Sequence, residues 1–179
     1  MKVRIESALL VGKLVINKDW RNLNMLPAFN GMDVITFAVE IEKNGKKFYE
    51  KVSDTFEDAE IKEIFLHLAH EEENHIVEFE KLFEDELGNN PHETYEGEYL
   101  DYVKSLVDNH VFKTNEDIDA LVKTIQNKND ALDLALKFEK DSILFFTELK
   151  EVVARHNLGI IDNLISQERT HIKVLAKLK

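Results

Sequence analysis

Cysteine is absent from this 179-residue chain. That excludes disulfides, thiolate zinc sites, iron–sulfur clusters and cysteine nucleophiles. Six glycines, at 12, 31, 45, 88, 97 and 159, fit neither a phosphate-cradling loop nor a dinucleotide fingerprint. Positive charge is scarce: 23 Lys and Arg against 35 Asp and Glu leave a net charge of −12. A chain this acidic has no electrostatic footprint for a phosphate backbone, so no nucleic-acid partner is expected. Long hydrophobic runs are lacking too. The candidate, Ala8 to Ile16, is far shorter than the roughly 20 residues a bilayer crossing needs. Lys13 interrupts it and no small-residue cleavage site follows, so neither membrane nor export is expected and the protein reads as cytoplasmic. Any metal must be held by oxygen and imidazole.

What is present is a core in one domain: 44% hydrophobic residues and 32% charged. Both prolines, Pro27 and Pro91, lie outside the periodic stretches. Apolar residues at Val34, Phe37, Ala38, Ile41, Phe48, Tyr49 and Val52 predict a helix from Asp33, as N-cap, to about Asp54. A second runs from about Phe56 to Leu87, opened by Thr55 with Asp58 three residues on, and stopped by Gly88 and Asn89-Asn90-Pro91. A third is expected over Asp130 to Ala154 and a fourth from Ile160 to the C-terminus. Short connections make each consecutive pair antiparallel. About forty residues, Gly88 to Asn129, cross between the pairs and should hold short helices. One would carry Tyr95, Tyr99 and Tyr102 on its apolar side, another Ile118, Leu121, Val122 and Ile125. The expected architecture is all-α: a four-helix bundle of two hairpins over residues 33–179. Residues 1–32 form an N-terminal extension, read as an arm, a subunit contact or a segment ahead of a start at Met25 or Met32.

The two halves are related. A shift of 97 superposes FAVEIEKNGKKFYEKV (37–52) on LALKFEKDSILFFTEL (134–149). A shift of 96 superposes LAHEEENHIVEFEKL (68–82) on LISQERTHIKVLAKL (164–178). The second helix is crowded with acids, and the repeat sorts them. Glu71 falls on Gln167, Glu73 on Arg169 and Glu40 on Lys137, whereas Glu42 falls on Glu139, Glu72 on Glu168 and His75 on His171. Six residues survive: Glu42, Glu72, His75, Glu139, Glu168 and His171. Positions i and i+3 differ by about 60° around a helix, so each Glu-x-x-His pair projects together. All six lie on apolar sides, where unpaired charge costs several kcal/mol. Two divalent cations would balance four carboxylates and leave two neutral imidazoles to ligate. That donor set suits iron or manganese, with zinc a competitor.

Two single Glu and two Glu-x-x-His in register strongly resemble the ferritin-like di-iron carboxylate proteins, and within them the rubrerythrin-like group. The phrases EIEKNGKKFYEKV and KFEKDSILFFTELK carry the resemblance further. It implies a ferritin-like bundle holding two Fe ions, with Mn or Zn possible. Glu42 and Glu139 would be terminal ligands, Glu72 and Glu168 bridging ones, and His75 and His171 would each cap one iron. Tyr49 matches a tyrosine that hydrogen-bonds a ligand in that group, and Phe146 stands at its symmetric position. Rubrerythrins typically carry a further Glu one turn after the third-helix ligand. Ser142 stands there here, which argues against a carboxylate–histidine exchange at one iron. They also carry a four-cysteine rubredoxin domain, so electrons for this chain would come from an external donor such as rubredoxin.

The resemblance implies an oxidoreductase that reduces hydrogen peroxide to water, acting in oxidative-stress defence as a homo-oligomer, a dimer. Ferroxidase or iron-storage chemistry with dioxygen, and a non-catalytic metal-binding module, are the alternatives. The remaining histidines, His67, His70, His92, His110 and His156, are expected at the surface or in local hydrogen bonds.

Overall fold

The structure, a computed structural model, describes residues 29–88, 94–95, 98–110 and 118–179. The chain folds as a helical bundle of two hairpins joined by a long crossover. Four long helices, α1 (Gly31–Thr55), α2 (Ala59–Gly88), α5 (Lys128–Leu149) and α6 (Leu158–Leu178), build it. The crossover carries α3 (Glu98–Asn109) and α4 (Ile118–Val122). β1 (Phe29–Asn30) pairs antiparallel with β2 (Thr94–Tyr95), with Phe29 opposite Tyr95. No helix among the described residues is long and apolar enough to cross a membrane.

Each long helix buries one stripe. α1 buries Ala38, Ile41, Phe48 and Val52, α2 buries Phe65, Leu68, Phe79 and Leu82, and α5 and α6 add Phe138, Phe145, Ile161 and Leu175. α1 packs along α2 and α5 along α6, while α1 against α5 and α2 against α6 close the bundle. α4 lies on α1, where Asp119 pairs with Lys47 and Lys51, and α3 lies on α5.

Several boundaries differ from the sequence expectation. α1 begins at Gly31, which places Asp33 inside the first turn instead of at the cap, and takes in the last two residues of the expected extension. α2 starts at Ala59, because the Asp58 carboxylate accepts from the backbone N–H of Glu60 (2.9 Å) and Ile61 (3.1 Å). Thr55 instead turns its hydroxyl back onto the Val52 carbonyl and ends α1. α5 stops at Leu149, five residues early: the amides of Glu151 and Val152 tighten onto carbonyls three residues back. Val152 and Val153 are buried in the turn that follows. A 3₁₀ turn, Arg155–Asn157, then leads into α6. Glu86 at the end of α2 holds that connection, its Oε1 accepting from the Ala154 amide (2.6 Å) and Asn157 Nδ2 (2.8 Å).

The three crossover tyrosines share no helix face. Tyr95 belongs to β2, and Tyr102 is exposed with its hydroxyl on Glu148. Of the apolar set after them, Ile118 is buried, Leu121 and Val122 pack on the core, and Ile125 does so from beyond α4. His156 is exposed and bonded to Asp85, in line with expectation. His110 departs from it: burial between Ser142 and Phe138 pushes its imidazole pKa down to about 4. Its place just past the end of α3 turns it inward, a consequence of how α3 docks on α5. His92, the Asn89-Asn90-Pro91 stop and residues 1–28 lie outside the described residues.

Candidate metal centre

Helical repetition decides which acids face inward. Glu72 and Glu73 are neighbours, yet about 100° of rotation buries Glu72 completely and leaves Glu73 on the surface, paired with Lys46 at 2.8 Å. The same geometry keeps Glu40 outside, bonded to Lys43. Glu42, Glu72, His75, Glu139 and Glu168 are completely buried, and His171 nearly so. They come from all four long helices, near the midpoint of each.

The structure brings all six together. His75 Nδ1 lies 2.8 Å from Glu168 Oε1, 3.1 Å from Glu72 Oε2 and 3.4 Å from Glu42 Oε2. His171 Nδ1 lies 3.1 Å from Glu168 Oε2, 3.5 Å from Glu139 Oε2 and 3.7 Å from Glu72 Oε1. The two imidazole rings stack with centroids 5.5 Å apart. Two overlapping donor sets result: Glu42, Glu72, His75 and Glu168, and Glu72, Glu139, Glu168 and His171. Glu72 and Glu168 belong to both, the arrangement two bridging carboxylates require.

Five buried carboxylate oxygens, both of Glu42, Glu72 Oε1, Glu139 Oε2 and Glu168 Oε1, have no well-aligned hydrogen bond, and their closest polar neighbours are the two imidazoles already described. A buried carboxylate oxygen without a well-aligned donor is costly and rare in native proteins, and all four residues involved belong to the two donor sets. Oxygen and imidazole donors with four negative charges fit a pair of divalent cations, and iron fits the donor chemistry.

Proton affinities reflect the same crowding. Burial, then the charges of Glu42 and Glu168, pushes the Glu72 carboxyl well above the usual range. Burial and Glu168 do the same to Glu139. Burial works against charge on Glu168 as well, but hydrogen bonds from Glu139, His171 and His75 outweigh it and hold that carboxyl low. Burial opposes charge on both imidazoles, yet the surrounding carboxylates win, raising His75 strongly and His171 to about 10. Protons here do the balancing that cations would do.

Tyr49 is buried against Phe48, Phe65 and Phe138, and its hydroxyl donates to Glu139 Oε1 on the opposite hairpin. Burial and the neighbouring carboxylates raise that hydroxyl well above its ordinary pKa, so it keeps its proton. Phe146, its repeat counterpart, packs on Phe79 instead.

One residue escaped the sequence reading. Gln167 presents Oε1 to His75 Nε2 at 2.7 Å, across 92 residues. The repeat had set it aside as the mismatch to Glu71. The only signal for it was its place next to Glu168 on the same turn.

The chain resembles known proteins over this same region. Among solved structures it is similar to one from Thermotoga maritima described as a ferritin-like diiron-carboxylate protein. The two share 26% identity, with a TM-score of 0.68 over 85% of this chain and 95% of that one. No curated protein matches the chain significantly. The rubrerythrin family profile matches residues 33–179, the span that contains all four long helices but for the first two residues of α1, and all six buried donors. Bundle, donor set and profile agree: this chain belongs to the rubrerythrin family.

Proposed function

We propose that the chain is a di-iron peroxidase, converting hydrogen peroxide with two electrons and two protons into two molecules of water. The observation that carries this reading is the double donor set with two shared carboxylates at its centre. Glu42 and His75 would hold one iron, Glu139 and His171 the other, and Glu72 and Glu168 both. A ferrous pair held there supplies two electrons and polarises an O–O bond.

The protein's own groups set the conditions for that chemistry. Burial of the donors in the bundle interior lowers the local polarity and strengthens the charge interactions among them. Tyr49 holds its proton at Oη and orients Glu139 through Oε1. Gln167 orients His75 through Nε2. The electrons are expected from a donor such as rubredoxin. We place the protein in the cytoplasm as a homodimer.

Stopped-flow absorbance of the reduced, iron-loaded protein tests the assignment. Peroxide should oxidise it faster than dioxygen does at equal concentration. Dioxygen reacting as fast or faster would replace this reading with a ferroxidase, and two bound ions without turnover would leave a metal-binding module.

A further inference from the structure

The repeat makes the two halves of the site equivalent in donors, but the surroundings of the two imidazoles differ. On the His75 side, the ring is completely buried and its outer nitrogen is taken by Gln167 at 2.7 Å. A histidine whose second nitrogen donates to a fixed acceptor is held in one tautomer and one orientation, with Nδ1 left to ligate. On the His171 side, the residue in the matching register is Glu71, and among the described residues it makes no such contact. Its Oε1 accepts instead from Asn74 Nδ2 at 3.4 Å, and Glu71 is only half-buried. His171 is 4% exposed, and that exposure opens into a groove of about 160 Å³ between α2 and α6. His67, Glu71, Gln167, Thr170 and Val174 line the groove along with the His171 ring. Since Nδ1 of His171 faces the carboxylates, its opposite edge meets the groove.

We propose that the two cation positions are unequal: the His75 position is closed by Gln167, and the His171 position exchanges with solvent through the α2–α6 groove. The Glu71 carboxylate and the His67 imidazole on the groove wall would serve an entering divalent cation as transient oxygen and nitrogen partners. Gln167 is a positioning residue, acting on the metal only through His75. The inference rests on the di-metal reading of the site and adds an order of loading to it: the closed position holds its ion longest.

Cobalt-loaded protein treated with excess chelator gives the test, followed by the visible absorbance of bound Co²⁺. The native chain should hold two ions and release them in two phases of equal amplitude. Gln167→Leu should accelerate the slow phase about 10- to 100-fold, the usual range for losing a partner that orients a ligand. Gln167→Glu, which keeps an acceptor for Nε2–H, should preserve the slow phase, whereas Gln167→Met, of similar length and volume but without a strong acceptor, should lose it as Gln167→Leu does, a contrast that a packing role for Gln167 does not predict. Thr170→Phe, at an exposed position on the groove wall, should slow the fast phase and spare the slow one. Two ions leaving in a single phase from the native protein overturns the proposal while leaving the site intact. So does a slow phase unchanged in Gln167→Leu, or a fast phase unchanged in Thr170→Phe. Fewer than two ions in the native protein would instead overturn the di-metal reading beneath it.

Discussion

Adjacent glutamates on one helix have opposite fates here, and the difference is rotational. Glu72 is buried with an oxygen lacking a well-aligned hydrogen bond, whereas Glu71 lines a groove and bonds Asn74. Substituting the two should therefore separate cleanly. Glu72→Ala or Glu168→Ala removes a carboxylate shared by both donor sets and should drop metal content below one ion per chain. Glu71→Ala or Glu40→Ala should retain two. Elemental analysis of anaerobically purified variants reads the outcome, and equal loss across all four would break the register assignment. That register was legible because the internal repeat filters the acids of α2 by position. Gln167 and His110 were not legible, since each owes its role to a partner in another helix.

Between elements, a close constraint lies where α1 meets α5. Gly45, one turn after Glu42, faces the Phe138 ring so closely that a Cβ there would sit 2.3 Å from Cζ. The ring cannot easily retreat, because Tyr49 and His110 pack on it with centroids 5.8 Å and 5.7 Å away. Alanine normally gains up to about 1 kcal/mol over glycine inside a helix. Here overpacking, at about 1–3 kcal/mol, should outweigh that gain and lower stability. Chemical denaturation should show Gly45→Ala less stable than the native protein, and Phe138→Leu should relieve the alanine's cost in a double-mutant cycle. A more stable Gly45→Ala would mean the two helices are not held at this distance. Element existence followed from apolar spacing, but ends did not. Asp58 won the α2 cap from Thr55 through two backbone amides, and the α5 terminus gave way to a buried valine pair.

At the scale of the whole molecule, an acidic chain stores several of its acids at its centre. Without metal, those acids and imidazoles share protons, and the sign of the consequence follows. An unfolded histidine titrates near 6.5, whereas His171 in the fold holds its proton to about 10. The folded state therefore binds more protons through that window, and stability falls as pH rises through it. Glu72 and Glu139, with raised carboxyl pKa values, act in the same direction. Glu168 acts oppositely, but its contribution is complete once pH exceeds the ordinary carboxylate range and does not change here. Thermal melts of chelated protein should thus show Tm declining from about pH 6.5 to about pH 10. Divalent metal should raise Tm throughout and flatten the decline, because the cations displace those protons on binding. A Tm independent of both pH and metal would mean that the six donors do not share charge in the folded chain.

The sequence by itself determined the four amphipathic helices, their pairing into hairpins, and the six positions that meet at the centre. Those properties are local: a stripe needs only the 3.6-residue period, and a Glu-x-x-His pair shares a face within one helix. The sequence marked Tyr49 against Phe146 and Glu71 against Gln167, but only the tertiary structure decided which groups these residues meet. Tyr49 reaches Glu139 across 90 residues and Gln167 reaches His75 across 92, distances that depend on how the hairpins rotate against each other. The repeat makes the ligands symmetric, and the packing between hairpins makes their surroundings unequal.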